Sequence, residues 1–150
     1  LNGERVSSSA IRGYLARGDC ENAARLLGRP FAMRGEIEHG RKLGRQLQMP
    51  TANLALAGRA LPLLGVYVVE ARVDGGVYPG VASIGYKPTV SDTPEPSLEV
   101  HLLDFSGDLY GRIMTVNFLH KLRDEEKFAD LATLQAAMAA DLAAARAYFH

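Results

Sequence analysis

A single cysteine, Cys20, leaves the 150-residue chain without an intramolecular disulfide, and it reads as a small buried or helix-surface thiol. Net charge is missing as well. Seventeen basic residues stand against 17 acidic ones, so no global field draws the chain toward nucleic acid or an acidic membrane. No apolar run approaches transmembrane length and no signal peptide opens the sequence, so we expect a cytoplasmic protein with no membrane partner. The four histidines and one cysteine show no metal-site spacing. No Gly-Lys-Ser/Thr closes a phosphate loop, and no Gly-x-Gly-x-x-Gly fingerprint is found. Internal repeats and low-complexity tracts are absent too.

What is present suits one globular domain. Hydrophobic residues make up 47% and charged residues 23%, in a chain long enough for one core but not comfortably two. The first residue is Leu1 rather than Met, and we expect a piece cut from something longer.

Two segments near the N-terminus carry helix grammar. In "SSSAIRGYLARGD" serines offer N-caps, Ile11, Tyr14 and Leu15 share a face, and Gly18 stops the run. In "DCENAARLLGRP" Asp19 is the cap, Ala23, Leu26 and Leu27 form the apolar face, and Gly28 and Pro30 terminate it. From Phe31 the period changes. Strands are predicted over 31–38, 65–73, 77–84, 98–105 and 112–121, with Asp74-Gly75-Gly76 as a hairpin turn. Strands without intervening helices predict an antiparallel barrel or sandwich, here a barrel of about six strands. A last helix begins after Asp130. Its residues Leu131, Leu134, Met138, Leu142, Ala145 and Phe149 recur at helical spacing, a stripe expected to be buried against the barrel.

Four stretches carry chemistry-bearing residues. "GRKLGRQLQMPTANL" places Gly40, Gly44 and Arg45 ahead of Pro50-Thr51-Ala52-Asn53. Glycines let backbone approach an anion, and Arg41, Lys42 and Arg45 supply donors to phosphate. Thr51 and Asn53, two residues apart on an extended segment, face the same way with hard oxygens of the kind Mg²⁺ accepts. The plainer reading is a long loop with side-chain-capped turns. In "PSLEVHLLDF" Leu98, Val100 and Leu102 alternate with Glu99, His101 and Leu103. Glu99 suits a general base for a hydroxyl, or a solvent-facing strand residue, and His101 suits hydrogen bonding or packing rather than ligation. In "KLRDEEKF" Arg123 ends a strand, where it reaches a ligand or belongs to a solvated connection. In "VSSSAIR" Ser7, Ser8 and Arg12 either bind phosphate at a helix N-terminus or simply start a capped helix.

In order along the chain, these motifs resemble riboflavin kinase, specifically the C-terminal kinase domain of bacterial bifunctional FAD synthetases. The resemblance runs from about Gly35 onward. It rests on Gly40…Gly44-Arg45, Pro50-Thr51-Ala52-Asn53, Gly65-Val66-Tyr67, Gly85-Tyr86-Lys87-Pro88-Thr89, Leu98-Glu99-Val100-His101, Tyr110-Gly111, and Leu122-Arg123-Asp124-Glu125 with Phe128. It implies a six-stranded antiparallel Greek-key barrel, over 31–150, with N-terminal helices and a C-terminal helix. The implied reaction is riboflavin plus ATP to FMN plus ADP, with Mg²⁺ accompanying ATP. Glu99 then matches the base, Thr51 and Asn53 the Mg²⁺ ligands, and Gly40, Gly44, Arg45 and Thr51 the ATP site, while Arg123 matches a flavin contact. Residues 1–30 resemble the join to an adenylyltransferase domain whose main part is absent. Ser7, Ser8 and Arg12 would be its residual phosphate motif, and the parent would also be an FMN adenylyltransferase. Gln48 and Met49 stand where the family usually has glycine and an aromatic, and Val90 replaces another aromatic. A non-catalytic barrel that binds flavin or nucleotide is the competing reading.

Overall fold

The computed structural model describes residues 8–38, 51–56, 60–87, 95–105 and 109–149. Helices α1 (Ser8–Ala16) and α2 (Cys20–Leu27) open it as a hairpin. The Asp19 carboxylate accepts the Asn22 backbone N–H at 3.1 Å, which satisfies one of the orphan donors at the start of α2. Gly28, at φ 78°, ends α2 in the left-handed conformation that glycine adopts without a Cβ penalty.

Six strands follow: β1 (Phe31–Glu38), β2 (Thr51–Leu54), β3 (Gly65–Val73), β4 (Gly76–Lys87), β5 (Glu95–Leu102) and β6 (Ile113–Arg123). They close into an antiparallel barrel in the order β1-β2-β5-β4-β3-β6. Strands β3, β4 and β5 form a meander, and β6 returns beside β3, which is a Greek key. The hairpin turn predicted at Asp74-Gly75 is present. Val73 pairs with Gly76, and both central residues have positive φ, as a two-residue turn with the right twist demands. β2 was not among the predicted strands, although Thr51 to Asn53 was read as extended; β1 and β3 keep their predicted bounds, and the other three differ at their ends. β4 runs on to Lys87, β5 begins at Glu95 and stops at Leu102, and β6 continues to Arg123.

The barrel interior holds Met33, Leu54, Tyr67, Val69, Ala82, Ile84, Leu98, Val100, Met114, Val116 and Phe118. Leu15, Cys20 and Ala23 from the helical hairpin join the same cluster, so the hairpin packs on the barrel core. Burial there pushes the Cys20 thiol up to about 12, with Glu21 and Asp19 adding to the effect, and raises the Tyr67 phenol through burial first and Cys20 second. Both shifts favour the neutral form in the folded state. The unfolded chain gives up these protons more readily, so the associated stability is intact at neutral pH and falls between about pH 9 and 12. The urea midpoint should therefore drop across that window, and Cys20→Ala should flatten the drop. An equally steep fall in the variant would remove Cys20 from the cause.

A second, smaller cluster lies on the outside of the barrel. Val66, Val68, Val81 and Leu103 meet Ala145 and Leu142 of α3 (Leu131–Tyr148). The helix starts where expected, with the Asp130 carboxylate accepting Thr133 N–H at 2.8 Å. Its expected apolar stripe is only partly covered. Leu131 and Phe149 are exposed, Leu134 and Met138 are half-buried, and the buried positions are Asp141 and Ala145. The reason is that contact with β3 and β4 is carried by the C-terminal half of α3, whereas the stripe runs its whole length.

Candidate active site

Strand alternation sorts β2 and β5 into an inner and an outer face. Ala52, Leu54, Leu98, Val100 and Leu102 go inward, which leaves Thr51, Asn53, Glu99 and His101 outward. Register then brings them together across the ladder. Thr51 is directly opposite His101, and Asn53 is directly opposite Glu99. Directly opposed side chains have Cβ atoms about 4.5–5.5 Å apart. A hydroxyl, a carboxamide, a carboxylate and an imidazole thus share one patch of barrel wall. Thr51, Asn53 and Glu99 are half-buried and His101 is buried. Thr51 Oγ1 and His101 Nδ1 are hydrogen-bonded at 3.1 Å. His101 is therefore the hydrogen-bonding histidine that its position suggested.

On the other side of β5, Glu99 faces Ser83 of β4. The Ser83 hydroxyl donates to Glu125 Oε2 at 2.9 Å. Glu125 belongs to the connection between β6 and α3, and its carboxylate lies over Gly85, where any Cβ would collide with it. Sequence reasoning did not single out Ser83, and it named Glu125 only within the Leu122-Arg123-Asp124-Glu125 motif, without a role.

Arg123 comes to the outer face by a different route. Pairing between β3 and β6 shifts register between Val66 and Tyr67 and again between Val68 and Val69. These bulges break the alternation in β6, so that Leu119 and Leu122 both pack on the outer cluster and Arg123 pairs with Val66. The guanidinium donates to Asp141 through Nε at 3.0 Å and Nη2 at 2.8 Å, and to the Asp124 carbonyl through Nη1 at 3.2 Å. Its carbon lies 5.5 Å from the Phe128 ring centroid. The Asp141 hydrogen bonds hold the Arg123 pKa above its ordinary value, against the opposing effect of burial. Asp141, a carboxylate inside an alanine-rich helix, is the buried anchor that fixes α3 to the end of β6. Arg123 also lines a cleft of about 460 Å³ with Arg17, Lys121 and Asp124.

Ser8 and Arg12 are exposed on α1, in the helical hairpin whose α2 contacts β1 and β6. Ser7, Gly40, Gly44, Arg45, Gln48, Met49 and Val90 lie outside the described residues. Among the described residues no group of three or more His, Cys, Asp or Glu could hold a metal ion. On the β2 side of the patch the oxygen donors are the Thr51 hydroxyl and the Asn53 amide. That set fits a cation which brings phosphate oxygens and water as its other ligands, as Mg²⁺ does.

Comparison with known proteins gives a family for this arrangement. A family model described as flavokinase, riboflavin kinase, matches residues 27–149. A bifunctional riboflavin kinase/FMN adenylyltransferase of Pseudomonas fluorescens is 55% identical over 147 residues, covering 98% of this chain and 47% of the relative. The chain thus spans about half the length of the curated relatives it matches. Among solved structures, one described as a macrolide-efflux protein from Streptococcus pneumoniae superposes with a TM-score of 0.87 at 35% identity. It covers 97% of this chain and 48% of that one. A riboflavin kinase from Trypanosoma brucei superposes with a TM-score of 0.54 at 26% identity, covering 79% of each chain. No helix among the described residues is long and apolar enough to cross a membrane.

Proposed function

Since the chain belongs to the riboflavin kinase family, we propose that it transfers the γ-phosphoryl group of ATP to the terminal ribityl hydroxyl of riboflavin, giving FMN and ADP. The observation that carries the reading is the shared outer face of β2 and β5. Thr51 and Asn53 come from one part of the chain and Glu99 from another, yet Asn53 and Glu99 are paired residues. Phosphoryl transfer asks the protein for little covalent chemistry. It asks for an alcohol, a base and a charge-neutralised phosphate held in line. Glu99 takes the ribityl proton as the oxygen attacks phosphorus. The Thr51 hydroxyl and the Asn53 carboxamide oxygen would hold Mg²⁺ with the ATP phosphates. Bound there, the ion would neutralise charge building on the bridging and equatorial oxygens. Gly40, Gly44 and Arg45 complete the nucleotide site in this reading, and Arg123 with Phe128 sets the flavin edge. Residues 1–30 would join the barrel to an adenylyltransferase domain carrying Ser7, Ser8 and Arg12, in a cytoplasmic protein that goes on to make FAD.

Incubating the purified chain with riboflavin, ATP and Mg²⁺, with FMN scored by chromatography, tests the reading. FMN formed in proportion to enzyme supports it. Riboflavin binding without any FMN would make the protein a flavin-binding barrel instead. Asn53→Ala should weaken Mg-ATP binding more than riboflavin binding, because the lost oxygen would hold the ion that accompanies the phosphates. Calorimetry returning the opposite order would remove Asn53 from the metal site.

A further inference from the structure

Thr51 carries a chemical ambiguity that the barrel resolves. A threonine hydroxyl has one proton and two acceptor lone pairs. Only the lone pairs can bind a cation, so the proton has to be sent elsewhere. A hydroxyl with no fixed acceptor rotates, and some of its rotamers aim the proton at the metal.

His101 stands in the right place to prevent this. It is directly opposite Thr51 on β5, its Nδ1 lies 3.1 Å from Thr51 Oγ1, and it is 8% exposed. The imidazole is therefore held between strands rather than swinging in solvent. Thr51 is β-branched and stiff at χ1, so its oxygen is held too. Glu99 sits two residues earlier on the same strand and the same face.

We propose that His101 is a positioning residue for phosphoryl transfer: the Thr51 hydroxyl donates to His101 Nδ1 and so turns its proton away from, and its oxygen lone pairs toward, a phosphate-bound divalent cation. The imidazole then carries its own proton on Nε2. This assignment rests on the reading of Thr51 as a metal ligand. It gives β5 two tasks at once, since the strand that presents the base also sets the orientation of a ligand on its neighbour. Groups behind a metal ligand typically contribute about 10–100-fold to metal affinity.

The test is calorimetric titration of ADP into the purified chain, in parallel with Mg²⁺ and with EDTA. His101→Leu, or His101→Phe as a second deletion, should weaken ADP binding about 10–100-fold in the Mg²⁺ arm and leave the EDTA arm unchanged. His101→Asn, whose side-chain oxygen falls near the position of Nδ1, should restore most of the loss. In a Thr51→Val background the His101 deletion should have no further effect. Equal losses in both arms, additive losses in the double variant, or an Asn variant no better than Leu would overturn the proposal. If Thr51→Val weakens Mg-ADP and the His101 deletions do not, only the positioning role fails. If Thr51→Val has no metal-dependent effect, the metal reading of Thr51 fails and this proposal goes with it.

Discussion

Glu99→Gln should lower the rate of FMN formation by about 10²–10⁴-fold, the usual contribution of a positioned general base. In barrier terms that is roughly 3–5 kcal/mol. The substitution keeps the size and the hydrogen-bonding reach of the side chain and removes only its ability to accept a proton. Glu99 is half-buried on the outer face, so the interior beneath it, built from Leu98 and Val100, is not disturbed. Nucleotide affinity should accordingly stay close to the parent value. Single-turnover measurement of FMN at saturating riboflavin and Mg-ATP separates the chemical step from binding. A variant as fast as the parent would sink the base assignment. One that turns over normally once nucleotide is saturating would move Glu99 into the nucleotide site.

The largest stability effect is expected at Phe118. Its ring is fully buried and meets Tyr67 edge-on at 5.5 Å and Phe31 at 6.1 Å. These contacts lie at the seam where β6 joins β1 on one side and β3 on the other, with Phe118 paired to both Phe31 and Val69. Phe118→Ala removes the ring and leaves a cavity that a closed barrel cannot collapse around. A loss of about 3–5 kcal/mol follows. At about 2–4 °C per kcal/mol for a chain of this size, Tm should fall by roughly 10 °C or more. Val77→Ala, at a site 50% exposed, serves as the control and should shift stability by less than about 0.5 kcal/mol. A Phe118 variant melting with the control would mean that the seam is not where the barrel is secured.

Which of these residues could be read from the sequence follows from how local their signals are. Alternation alone placed Leu98, Val100 and Leu102 on one face and Glu99 and His101 on the other. The spacing of Thr51 and Asn53 was enough to put them side by side. Asp19, Gly28, Asp74 and Asp130 announced their caps and turn because those motifs close within a few residues. Pairing partners are another matter. That Asn53 meets Glu99 depends on β2 entering between β1 and β5, which nothing within either strand specifies. The bulges in β6 were invisible for the same reason, and with them the route by which Arg123 reaches Asp141. Nothing in the helical periodicity marked Asp141. Its burial follows from one long-range partner, Arg123, that periodicity cannot supply.

The closed ring has a consequence for how the chain is made. A barrel without ends leaves no strand edge exposed, yet β1 and β3 have no neighbour on one side until β6 is in place. Because β6 is the last strand in chain order, a nascent chain emerging N-terminus first must present those two open edges throughout the synthesis of everything between them. Open edges are templates for pairing with other chains. Until Ile113 to Arg123 has left the ribosome, the chain is therefore open to pairing with other chains along both edges. Shortening the gene from its 3′ end through β6 should yield inclusion bodies rather than a weaker enzyme.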